Sequence, residues 1–167
     1  LQDNVTGRFN IAVGYKTMQD NTGGDSNVAI GNQALRCNLT GGSNTALGTS
    51  ALLCNTASNN TAVGASAMLT NTTGGSNAAL GVGALQANTI GGNNVGVGFN
   101  SLRNNTTGQA LTAVGRCALA NNTTGDKSVA VGANTLCCNT TGRFNTALGS
   151  YAMRFNTTGE NNSVLGS

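Results

Sequence analysis

A small residue, an aliphatic residue and a glycine return in that order along the whole chain. The glycines are Gly14, Gly31, Gly48, Gly64, Gly81, Gly98, Gly115, Gly132, Gly149 and Gly166, and every spacing is 17 residues except the 16 between Gly48 and Gly64. Before each stands an aliphatic residue, from Val13 and Ile30 to Leu148 and Leu165, and one place earlier stands alanine in most copies, from Ala12 to Ala147. Strand alternation sends these two columns to opposite faces. The larger column is expected to face inward and the alanine column outward. Four residues past each glycine lies a second apolar column, from Leu1, Met18 and Leu35 to Leu136 and Met153.

Two apolar columns per repeat imply two inward walls. Each coil therefore reads as a short strand such as Asn44-Thr45-Ala46-Leu47, a glycine corner, a second short strand around Ala51-Leu52-Leu53, and a polar turn. A helical repeat is excluded because Gly and Asn-Thr-Thr-Gly in every unit disfavour helix interiors. The 16-residue spacing falls within Thr56-Ala57-Ser58-Asn59-Asn60. A turn absorbs a deletion there, whereas a strand would have every later side chain flipped. The fold class is all-β, a parallel β-solenoid or β-roll of about ten 17-residue coils. At ~4.8 Å per coil it forms a rod ~45–50 Å long.

Composition narrows the class further. Charged residues make up 8% and aromatics 4%, with 25 Gly and no Pro, Trp or His, so the core must be thin. A net charge of +3 from dispersed Lys and Arg forms no basic stripe, and no nucleic-acid role is expected. No apolar stretch is long enough for a membrane-spanning helix, so no membrane insertion is expected in this segment. Residues 1–167 read as one repetitive segment that begins and ends within a repeat, which leads us to expect a piece of a longer fibrous protein.

Three residues after the second apolar column stands Asn4, Asn21, Asn38, Asn55, Asn71, Asn88, Asn105, Asn122, Asn139 or Asn156, an unbroken column. Asn tolerates left-handed corners, and amides one strand spacing apart can hydrogen-bond along the stack, so a structural ladder is the leading reading. The alternative is periodic glycosylation. Asn4, Asn38, Asn71, Asn105, Asn122, Asn139 and Asn156 each have Thr two places on, although the Asn-Thr-Thr-Gly turn generates that motif by itself.

Five cysteines cannot all pair within one chain. Cys37 and Cys54 share a repeat position on adjacent coils and form a candidate disulfide, weighed against two small apolar residues in a half-buried column. Cys137 and Cys138 would point to opposite faces if extended, which argues against a metal clip. Without His or Cys-x-x-Cys no zinc site is expected, and the scattered acids give no calcium column. Nor do Asp3, Asp20, Asp25, Asp126 and Glu160 offer an acid–base pair, so no catalytic residues, cofactor or enzyme activity are expected.

The strings Ser26-Asn27-Val28-Ala29-Ile30-Gly31, Ser43-Asn44-Thr45-Ala46-Leu47-Gly48 and Ser128-Val129-Ala130-Val131-Gly132 resemble the Ser-Val-Ala-Ile-Gly repeats of trimeric autotransporter adhesin heads. They are similar also to the repetitive stems of phage and large-virus tail fibres. The resemblance implies a left-handed roll, three chains side by side, at an outer bacterial or virion surface and engaged in attachment to a host glycan or protein. The 17-residue coil and the cysteines depart from the adhesin pattern. A structural fibre or adhesin shaft is thus the leading function, with self-association through the alanine column or, equally, an alanine column that merely lines a narrow coil. Ice binding is the alternative from another class, since flat solenoids can present regular threonine hydroxyls. The adjacent pairs Thr72-Thr73 and Thr123-Thr124 and the mixed column before alanine count against it.

Overall fold

The computed structural model describes residues 2–166. Leu1, expected to open the second apolar column, lies outside the described residues. Ten three-residue strands, from β1 (Ile11–Val13), β2 (Val28–Ile30), β3 (Thr45–Leu47), β4 (Thr61–Val63) and β5 (Ala78–Leu80) through β6 (Val95–Val97), β7 (Thr112–Val114), β8 (Val129–Val131), β9 (Thr146–Leu148) and β10 (Ser163–Leu165), form one parallel sheet in chain order. The pairing keeps like with like: Ala29 opposes Ala46, and Ile30 opposes Leu47. The register passes through the 16-residue coil unchanged, with Ala46 opposite Ala62 and Leu47 opposite Val63. The chain is an all-β parallel β-solenoid of about nine turns.

The facing of the strands is the reverse of the expectation. Ala29, Ala46, Ala62, Ala79, Ala113, Ala130 and Ala147 are completely buried, whereas Ile30, Leu47, Val63, Leu80, Val114, Val131 and Leu148 are 36–43% exposed. The cause is the width of the coil. Across from each strand the second apolar column already fills the interior with a fully buried Met18, Leu35, Leu52, Met68, Leu85, Leu102, Leu119 or Leu136. Only a methyl group fits between that column and the strand backbone. Where the sequence offers no methyl group at all, at Gly96, a built Cβ would sit 3.5 Å from Leu85 Cδ1 and only 3.1 Å from Ser101 Oγ, so even a methyl group fits tightly. The alanines are therefore half of the core, and the aliphatic column is left outside.

A second strand around Ala51-Leu52-Leu53 does not form. In its place the chain curls: Ser50 and Leu52 have φ of 57° and 51°, and the same pair of left-handed residues recurs at Gln33 and Leu35, Ser66 and Met68, Asn100 and Leu102. Left-handed backbone is unfavourable for a residue with a Cβ. Here it is offset by the leucine or methionine side chain, which the curl turns into the core. The glycine after each strand makes the preceding corner, with φ of 140° at Gly81, where a Cβ would meet the Gly98 carbonyl oxygen at 2.5 Å. Among the described residues there is no helix long and apolar enough to cross a membrane.

Candidate functional site

The asparagine column builds a ladder inside the rod. Asn21, Asn38, Asn55, Asn71, Asn88, Asn105, Asn122 and Asn139 are fully buried, while Asn4 is exposed and Asn156 half-buried. From coil to coil the side-chain amide spends its two N–H groups in the same way, Asn55 excepted. Asn88 Nδ2 donates to Asn71 Oδ1 of the previous coil at 2.7 Å and to the Gly91 carbonyl of its own turn at 2.9 Å. The same two bonds recur at Asn105, Asn122 and Asn139. At Asn38, Asn71, Asn105, Asn122 and Asn139 the sequon amide is buried with both donors committed in the folded coil.

A second ladder runs beside the first and was not singled out from the sequence. Asn27, Asn44, Asn60, Asn77, Asn94 and Asn145, four residues before each glycine, are also buried. Asn77 Oδ1 accepts from the Asn94 backbone N–H at 2.9 Å, and Asn77 Nδ2 donates to the Gly91 carbonyl at 2.9 Å. Both ladders converge on one acceptor, because Gly91 also receives Asn88. The signal was present in the sequence, as Asn at this place in every copy but Leu111 and Ser128.

The first threonine of the turn is spent on the stack. Thr72 Oγ1 donates to the Thr89 carbonyl at 2.9 Å, Thr89 to Thr106 at 3.0 Å, and Thr106 to Thr123 at 3.0 Å. The second threonine, Thr73, Thr124 or Thr141, stays exposed beside it. On the strand face threonine alternates irregularly with Val and Ala, at Thr45, Thr61, Thr112 and Thr146.

All five cysteines are free thiols. Cys37 and Cys54 do stack, since the Cys37 N–H donates to the Leu53 carbonyl at 3.0 Å. Burial, followed by the neighbouring Cys54 and Asp20, pushes the Cys37 thiol above its ordinary pKa. Cys137 and Cys138 do not splay to opposite faces, because both lie in the curled segment rather than in a strand. Burial raises the Cys137 thiol, and nearby Cys138 and Cys117 raise it further. Among the described residues no group of three or more Cys, Asp or Glu could hold a metal ion.

What remains on the outside is a face. The two outward positions of the strands give one strip of Val, Ile, Leu, Thr and Ala, with Ser163 in the last, and none of the 13 charged residues occupies a strand position. Tyr15, Val82 and Phe99, each just past a corner glycine, are 50–65% exposed and extend its apolar character at one margin. Compared with known proteins, the chain matches no family model, no curated protein and no solved structure.

Proposed function

We propose that this chain is a shaft segment of a surface fibre or adhesin, built to hold length and to pack side by side with copies of itself. The observation that carries the reading is the uncharged strand face. Ile30 is 41% exposed, Leu80 43%, Val95 38% and Leu148 37%, so two such side chains per coil leave on the order of 100 Å² per coil and 1,000 Å² over ten coils. A standard protein interface needs ~800 Å² per partner. Contiguous apolar patches of that extent mark association sites.

The contact therefore belongs to the aliphatic column with the Ile11, Val28 and Thr45 column beside it, and not to the buried alanines. Three parallel copies around a common axis, as the resemblance to adhesin heads and tail-fibre stems implies, would close the three strips into a shared core. Attachment to a host glycan or protein would then belong to other parts of the fibre or to its exposed turns. An extracellular, cell-surface or virion location follows from the same reading, and so does the absence of a catalytic role.

Replacing Leu80 and Val114 with Lys places charges on the strip without touching the interior. Light scattering should give a mass three times that of the chain for the parent and a single-chain mass for the variant. A monomeric parent would overturn the assembly.

A further inference from the structure

We infer that the 16-residue coil is a one-sided hinge in the rod, opening at its turn edge and bending toward the strand face. Three observations meet at the junction between the coil that carries Asn38 and the one that carries Asn55. The first is the broken ladder. Everywhere else the column asparagine reaches a carbonyl three residues on, as Asn71 does to Gly74. In the short coil that carbonyl is Ala57, only two residues on, and Asn55 Nδ2 donates to it at 2.8 Å. The amide is drawn away from the coil before it, and Asn38 Oδ1 is left buried without a donor.

The second observation is in the backbone. In full-length turns two successive N–H groups donate to one carbonyl of the next coil, as Thr22 and Gly23 do to Leu39 at 3.1 and 2.8 Å, or Thr72 and Thr73 to Thr89 at 2.9 and 3.1 Å. Leu39 and Thr40 make no such bonds to Thr56. One coil further on, the Cys54 N–H does not reach Leu69, although the equivalent Ala87 reaches Arg103 at 2.9 Å. Leu39 also lacks the hydroxyl by which Thr22, Thr72 and Thr89 tie their turns to the next coil.

The third observation fixes the direction. On the strand side nothing is lost: Thr45 N–H donates to Asn60 at 2.9 Å, Gly64 N–H donates to Leu47 at 2.7 Å, and β3 and β4 pair over all three residues. In a stacked-repeat protein each coil couples only to its neighbours, so the weakest junction decides where the array opens. With one edge held and the other loosened, the rod can open only at the turns.

Hydrogen exchange followed by NMR on the 167-residue chain tests this at amides that are bonded across the junction on both sides. Cys37 and Asn59, near the turn edge, should exchange about tenfold or more faster than their equivalents Ala87 and Asn93. Gly64 on the strand side should match Gly98. Inserting Thr after Thr56 together with Ala57→Gly restores a 17-residue coil and should erase the difference. Deleting Thr107 should create it anew at Ala87 and Ala110. Equal exchange in the parent, or Gly64 opening as fast as Cys37, would overturn the hinge.

Discussion

Asn71 Nδ2 lies 2.6 Å from Asn55 Oδ1 and donates to it across one coil spacing, in a fully buried place. The same amide holds the Gly74 carbonyl at 2.8 Å, and its oxygen receives Asn88 at 2.7 Å. One side chain thus links three successive coils and closes its own turn. A narrow coil cored by Ala and Leu has little apolar surface to offer, and these buried amides supply the specificity that fixes which residues stack.

Asn71→Ala removes two donated bonds and one accepted bond from a fully buried site, and the loss is expected to be ~1–3 kcal/mol. Asn77→Leu should cost less. Leu111 occupies the equivalent place in a later coil at 1% exposure, so the cavity accepts that side chain. Thermal denaturation of the two variants, followed by circular dichroism, should show the larger fall in melting temperature for Asn71→Ala.

Gly91 is held to glycine by its neighbours rather than by its backbone angles. A Cβ there would clash first with the Gly108 carbonyl oxygen of the next coil, and then meet Asn88 Oδ1 at 2.6 Å and Asn105 Nδ2 at 3.0 Å in the ladder. Gly91→Ala should therefore destabilise the rod by more than Gly92→Ala, where the nearest atom is the Gly75 carbonyl oxygen at 3.1 Å. Urea unfolding of the two variants measures the difference, and equal midpoints would remove the argument for a crowded turn.

Much of the fold could be read from spacing alone. The Gly columns, the 17-residue period and the placement of the short spacing in a turn are all visible as positions in the chain, because a stacked coil repeats each environment. The direction in which a strand faces could not be read that way. Thr45-Ala46-Leu47 alternates equally well with Leu47 inward or outward, and size suggested Leu47. The choice was made by volume across the coil: Leu52 is fully buried opposite the strand and leaves room only for Ala46. The curl at Ser50 and Leu52 was hidden for a related reason, since leucine is a poor predictor of left-handed backbone and adopts it here because the core holds its side chain. The Asn4 to Asn156 column was legible from its regularity, whereas the bonds of Asn77 became visible only once the Gly91 carbonyl was seen to serve both ladders.

In the proposed assembly, copies of this chain meet through the exposed aliphatic column. In a background with all five cysteines replaced by Ala or Ser, Val114→Cys puts a thiol on the strip and Thr141→Cys puts one on the exposed turn edge of the same rod. Under mild oxidation, non-reducing gels should show chain-to-chain disulfides for Val114→Cys and none for Thr141→Cys at equal concentration. Cross-linking from Thr141→Cys with Val114→Cys unreactive would rule out the strip as the contact.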